Sequence, residues 1–162
     1  MSLTVHHCSP LISILSHICY EAPTLEVRFL YSTKLPSRDP ARAEILFLPR
    51  VLDLFQMPGN RSSHLDLFFS GTWDGNAPSP EDEFVRSFGL TQGGKTDTSL
   101  PVTVRTGRID KEALSNAVGD HQARLSSVFY VCGPPQMTDD TVKFLCETEG
   151  VASQHVLCEK WW

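Results

Sequence analysis

Short β-rich runs separated by stretches of helical periodicity constrain this chain most. The runs are Leu25-Glu-Val-Arg-Phe-Leu-Tyr31, His64-Leu-Asp-Leu-Phe-Phe69, Val102-Thr-Val-Arg105, Ser127-Val-Phe-Tyr-Val131 and His155-Val-Leu-Cys158. Strands joined through helices need crossover connections and therefore lie parallel, so the alternation predicts an α/β fold. The expected architecture is an open, doubly wound parallel sheet with helices on both faces. In such sheets ligands bind beyond the carboxyl ends of the strands.

The helical stretches carry their own signals. Ser9-Pro10 offers a cap and a first-turn proline before Leu11, Ile12, Ile14, Leu15 and Ile18, which predicts a helix from Pro10 to about Tyr20. Ala41 to Met57 has apolar residues at three- and four-residue steps, and Pro49 predicts a helix in two pieces. Asp110 is placed to cap a helix through Ala113, Leu114 and Val118. Thr138 or Asp139 is expected to cap another through Val142, Leu145 and Cys146, with Gly150 ending it. The strand after Pro23 should run to about Ser32, leaving Thr33 to Pro40 as a loop. Residues 72–101 are rich in Gly, Pro, Ser, Asp and Asn and read as a long surface loop, with Phe84, Val85 and Phe88 as one packed helical turn. The weakest element is the first. Met1-Ser-Leu-Thr-Val5 has only Leu3 and Val5 where a central parallel strand is almost continuously apolar, so the first central strand should be short or missing.

Composition narrows the function classes. With 162 residues, 41% hydrophobic and 20% charged, the chain fits one globular domain over residues 1–162, with an atypical start over residues 1–9. A net charge of -5 argues against a nucleic-acid partner, because phosphate binding relies on clustered Lys and Arg. No segment has the roughly 20 apolar residues of a membrane span. The apolar stretch from Leu11 is preceded by no Lys or Arg and followed by no clear small-residue cleavage site, so no secretory signal is expected. The five cysteines stand singly, without the paired spacing of zinc or dithiol sites, and a reducing compartment is the simpler expectation. His6-His7-Cys8 has metal-capable atoms but no second pair, so it reads as a surface segment and no metal site is expected. No nucleophile-elbow pattern supports hydrolysis.

Chemistry concentrates at Val128-Phe-Tyr-Val-Cys132-Gly133-Pro134-Pro135-Gln136-Met137, a buried strand entering a rigid turn and then a helix. The glycine permits close approach of a backbone or flat ligand, and the prolines restrict the chain, so Cys132 can sit at the sheet's ligand-binding edge. Alternatively, Cys132 packs as a small hydrophobe.

This Cys-Gly-Pro-x-x-Met turn, together with the ending Glu159-Lys-Trp-Trp162, resembles the nicotinamide-binding domains of the ferredoxin-NADP reductase superfamily. Weaker parts of the resemblance are Pro-Leu-Ile-Ser-Ile-Leu at 10–15, Leu-Tyr-Ser-Thr-Lys at 30–34 and Gly-Arg-Ile at 107–109. The resemblance implies a Rossmann-like sheet of the reductase type and a module that passes hydride between NAD(P)H and a flavin. It places Cys132 beside the nicotinamide, Gly133, Pro134 and Pro135 in the dinucleotide wall, and Met137 behind the turn. Glu159 and either Trp161 or Trp162 would position the nicotinamide and flavin rings; otherwise the tryptophans form a hydrophobic clasp. Tyr31, Ser32, Thr33 and Lys34 would meet the adenosine end, with Lys34 and Arg38 as phosphate contacts. No acidic residue ends this strand, so NAD and NADP are not separated by the residues, although the resemblance favours NAD. A mitochondrial location is implied too, yet no Arg-rich targeting segment is present, which leaves the cytosol open.

Two parts of the family pattern are missing. The resemblance calls for a Gly-Gly-x-Gly-x-x-Pro turn whose backbone N–H groups hold the pyrophosphate at the first helix. Here Ser9 and Pro10 remain, but Val5-His6-His7-Cys8 replaces the glycines. Loss of two charged hydrogen bonds costs roughly 3–6 kcal/mol, or about a hundredfold to ten-thousandfold in affinity. An upstream flavin barrel is also absent, so FAD is expected only with a separate or missing domain, as a flavin-domain or electron-transfer partner. The alternative expectation is an N-terminally truncated, catalytically inactive product that acts, if at all, through protein contacts.

Overall fold

A computed structural model describes residues 2–5, 9–34, 47–57, 63–70 and 102–160. Its elements are β1 (Ser2–Val5), α1 (Ser9–Glu21), β2 (Arg28–Lys34), α2 (Leu48–Phe55), β3 (His64–Ser70) and β4 (Val102–Thr106). There follow α3 (Lys111–Val118), α4 (His121–Leu125), β5 (Phe129–Gly133), α5 (Pro135–Glu147), a 3-10 turn (Ser153–His155) and β6 (Val156–Lys160). All six strands form one parallel sheet in the order β4-β3-β2-β1-β5-β6. The chain steps outward from β1 through β4, then returns to the other side of β1 for β5 and β6. The sheet is thus open, doubly wound and Rossmann-like, and its strand order reverses between β1 and β5.

Alternation along the strands divides the core between the two faces. Phe29 and Tyr31 of β2 and Leu65, Leu67 and Phe69 of β3 pack with Leu11 and Leu15 of α1 and Val51, Leu52 and Phe55 of α2. Leu30 and Phe68 point the other way, onto Leu114 and Ala117 of α3. Beyond them Phe129 and Val131 of β5 meet Leu145 of α5. Each fully buried side chain of this size contributes about 1.5–3 kcal/mol, so the two faces together supply most of the drive to fold. No helix of the described residues is long and apolar enough to cross a membrane.

Several boundaries differ from expectation. The central strand is short, as expected, at four residues, and it pairs with β2 on one side and β5 on the other. Backbone pairing on both sides holds a segment whose side-chain pattern alone is poor. The second strand starts three residues late, because Leu25 closes a turn on the Ala22 carbonyl and is 52% exposed. It also continues through Thr33 and Lys34, expected to be loop, since β3 pairs with it as far as Ser70. Of the helix expected in two pieces, only the second is described, and Pro49 falls inside its first turn. Phe47 adopts a left-handed conformation (φ 60°), which no helix can pass through, and α2 begins at Leu48 with Pro49 in its first turn. Residues 41–46 and the loop expected over 72–101, including Phe84, Val85 and Phe88, lie outside the described residues.

Asp110 does cap α3, accepting from the Ala113 amide at 2.8 Å. Asp120 caps the short α4 in the same way at 2.9 Å, a helix the periodicity did not predict because five residues are too few to show a period. Neither Thr138 nor Asp139 caps α5, which starts at Pro135 with Pro134 before it. Thr138 is buried in the first turn, and Gly150 (φ 86°) lies in the turn after Thr148 rather than at the helix end.

Candidate functional site

The short central strand shapes the site. Val5, its last residue, pairs with Tyr31 of β2 and Cys132 of β5. Beyond that level β2 continues for Ser32, Thr33 and Lys34, whereas β5 continues only to Gly133. At a rise near 3.3 Å per residue, the β2 wall stands about 10 Å above the end of β1. Among the described residues the carboxyl edge therefore steps down, as a notch between the ends of β2 and β5, where the strand order reverses, and α1 starts at Ser9. Crevices at such reversals are where open α/β sheets take their ligands.

The β2 wall is polar toward its tip. Ser32 is 1% exposed, and its hydroxyl has no hydrogen-bond partner among the described residues. A buried hydroxyl without a partner costs about 1–3 kcal/mol. The Ser70 hydroxyl donates to the Thr33 carbonyl at 3.3 Å and ties the tips of β3 and β2 together. Lys34, the last residue, is exposed. Tyr31 belongs elsewhere. It is buried at 3% on the α1 face, with its ring 6.4 Å from that of Phe29, and so serves the core.

The opposite wall is a rigid turn. Cys132 and Gly133 are buried, and Pro134 and Pro135 are exposed on the turn. The Thr138 hydroxyl donates to the Gly133 carbonyl at 3.1 Å, and the Thr138 amide donates to the Pro134 carbonyl at 3.0 Å. These bonds lock the turn onto the first turn of α5. Met137 is partly buried against the Phe129, Val131 and Leu145 cluster, behind the turn.

Glu159 stands beside Cys132 in the β5–β6 register and is exposed. It accepts a hydrogen bond from the Tyr130 hydroxyl at 3.0 Å. Burial, and then that bond to a carboxylate, push the Tyr130 phenol up to about 12. The next residue, Lys160, reaches Asp139 of α5 at 2.6 Å, and this bond raises the Lys160 ammonium above its ordinary value. Successive residues of a strand point to opposite faces. The end of β6 is therefore tied to β5 on one face and to α5 on the other, just before Trp161 and Trp162, which lie outside the described residues.

The structure thus gathers Ser32, Thr33 and Lys34 on one side of the notch and Cys132, Gly133, Pro134, Pro135 and Glu159 on the other. Pro10 is partly buried in the first turn of α1. Tyr130 and Asp139 were not singled out from the sequence as site residues. Tyr130 was findable, since it lies two residues before Cys132 and shares its face. The Asp139–Lys160 contact joins two elements and leaves no local signature. Among the described residues no cluster of His, Cys, Asp and Glu is arranged to hold a metal ion.

No known family profile matches the chain, and no solved structure does. It is similar, at 30% identity over 167 residues, to Oxidoreductase NAD-binding domain-containing protein 1 of Bos taurus. The proteins of that name from Pongo abelii and Homo sapiens are 29% and 28% identical. Each match covers 95% of this chain and 42% of the relative. Over nearly its whole length, this chain is therefore similar to the proteins named Oxidoreductase NAD-binding domain-containing protein 1, and it spans less than half of theirs.

Proposed function

We propose that the chain is the nicotinamide-dinucleotide-binding module of a flavin-dependent oxidoreductase, working with a flavin held by another domain or polypeptide. The observation that carries this reading is the step at the β1/β5 reversal, with the polar and cationic end of β2 on one side and the rigid Cys132-Gly133-Pro134-Pro135 turn beside the Glu159 carboxylate on the other. An extended ligand with phosphates in its middle and a flat ring at one end matches that asymmetry. The unpartnered Ser32 hydroxyl on the polar wall and the buried Cys132-Gly133 backbone on the other fit such a ligand. The names of the relatives support it as well.

When bound, the dinucleotide supplies a hydride, the hard part of the chemistry. Cys132 and Gly133 admit a flat ring close to the backbone, and Pro134 and Pro135 keep that wall from relaxing. Tyr130 holds Glu159 beside Cys132, and Asp139 anchors the same strand end from behind. The N-terminus of α1 would hold the phosphates through its backbone N–H groups, and the lack of glycines at residues 6–8 would limit how closely they approach.

Calorimetric titration of the chain with NADH and NADPH tests the reading. Saturable binding by millimolar concentration is expected, and a flat titration through that range with both cofactors removes the proposal. Replacing His6 and His7 by glycine should tighten binding, since backbone N–H groups can then approach the pyrophosphate more closely.

A further inference from the structure

We propose that the α1 face of β5 and β6 is a docking surface for a cationic, amphipathic helix of a partner protein, which lies there alongside α1. The proposal stands apart from the dinucleotide-binding reading, because it concerns the flank of the sheet and not its carboxyl edge.

A parallel sheet carries apolar side chains on both faces and is ordinarily covered on both. At β2 and β3 that condition holds, with α1 and α2 on one face and α3 on the other. At β5 and β6 the covered face is that of α5, where Phe129, Val131 and Val156 pack with Leu145. The alternate residues point to the α1 face. There Val128, directly before β5, is 38% exposed and Leu157 is 48% exposed. Tyr130, the register partner of Leu157, is only partly buried. Side chains at such opposed and diagonal positions of adjacent strands touch, so the three form one apolar patch.

Helix α1 walls this patch on its inner side. Ser16 marks the α2 side of the helix, since Arg50 of α2 donates to the Ser16 hydroxyl at 3.2 Å. Ile14 and Glu21 lie on the opposite flank, about 140–160° around the helix from Ser16. Ile14 is partly buried and Glu21 is exposed. The outer side is the sheet's edge at β6. A floor two strands wide spans about 10 Å, the diameter of one helix. From Val128 to the level of Cys132 and Glu159 is about 13 Å along the strands, which matches about nine helical residues.

Charge decides what kind of helix fits. Glu21 stands at the amino end of the trough and Glu159 at its carboxyl end, both exposed. Neither α1 nor β5 contains Lys or Arg, and Lys160 turns to the other face to reach Asp139. An apolar floor with an acid at each end complements an apolar stripe flanked by Lys or Arg and disfavours an acidic helix. Tyr130 belongs to the floor by its ring and to Glu159 by its hydroxyl, so an occupant of the trough rests on the residue that holds that carboxylate.

The probe is a side-chain-stapled peptide of about 14 residues with leucines at helical spacing and lysines elsewhere, stapled because a free helix of that length is marginal in water. One control has the same residues in scrambled order; another has glutamate in place of lysine. By fluorescence anisotropy the striped cationic peptide should bind the chain saturably and at least about tenfold tighter than either control, and it should shift the ring resonances of Tyr130 in carbon NMR. Leu157→Ser should weaken binding about fivefold to tenfold with thermal unfolding unchanged, and Val128→Ser should do the same. Leu125→Ser, at an exposed position of α4, should leave binding as it is. No binding by the striped peptide, equal binding by the scrambled one, or undiminished binding in both Leu157→Ser and Val128→Ser overturns the proposal. So does a dimer in sedimentation that Leu157→Ser dissolves, which assigns the face to a second copy, or peptide binding gained only once Trp161 and Trp162 are removed, which assigns it to the chain's own end.

Discussion

Tyr130 and Glu159 show how much a single hydrogen bond decides at this edge. The phenol is raised from 10.0 to about 12, first by its burial and then by the carboxylate it bonds. A tyrosine that holds its proton more tightly folded than unfolded stabilises the fold fully below pH 10, and that contribution is lost as the pH climbs through about 12. Glu159→Gln removes the negative charge but not the burial. The Tyr130 ionisation followed by carbon NMR of its ring should then move down from about 12 while staying above 10; an unmoved midpoint would mean that the bond does not form in solution. Which face Tyr130 shares was legible from a period of two, but not that Glu159 would be its partner. The two residues lie on strands whose register is set by packing, and the pattern of either strand alone is compatible with other registers.

At the scale of elements, β1 has the weakest sequence signal and the most central place. Substituting Thr4 by proline removes a backbone donor from a strand with neighbours on both sides, and the facing carbonyl left without its partner costs about 1–3 kcal/mol. Urea denaturation should show that loss, far exceeding the effect of Thr4→Val; a change under about 1 kcal/mol would mean that the strand pairing contributes little. The order and type of the long elements were legible because apolar periodicity survives over five or more residues. Their ends were not. The Thr138 misreading has a backbone cause: α5 starts at Pro135 with Pro134 before it, four positions ahead of the residue that looked like its cap. The Cys132 turn, in contrast, was fully local, with glycine and two prolines adjacent in the chain, so its rigidity could be read directly.

For the whole molecule, the notch is a property of no single segment. Among the described residues β1 reaches Val5, β2 continues through residues 32–34 and β5 through residue 133, so the step follows from where three strands stop relative to one another. Sequence patterns can name the walls but not their heights. The same register has a consequence in time. Ser2 pairs with Phe129, so the middle of the sheet cannot close until nearly the whole of the intervening chain exists. At roughly 5–20 residues per second, β1 waits about 6–25 s on the ribosome for β5, while β2, β3 and β4 can already associate. Contacts this distant make folding slow, and they leave an unpaired edge available to other chains meanwhile. Pulse-labelled hydrogen exchange during refolding should find β5 amides protected after those of β2 and β3; simultaneous protection would mean that the sheet assembles in one step. The strand that gives the site its floor is also the one that spends synthesis exposed, so the yield of functional protein should depend on chaperone supply more than on the strength of the finished core.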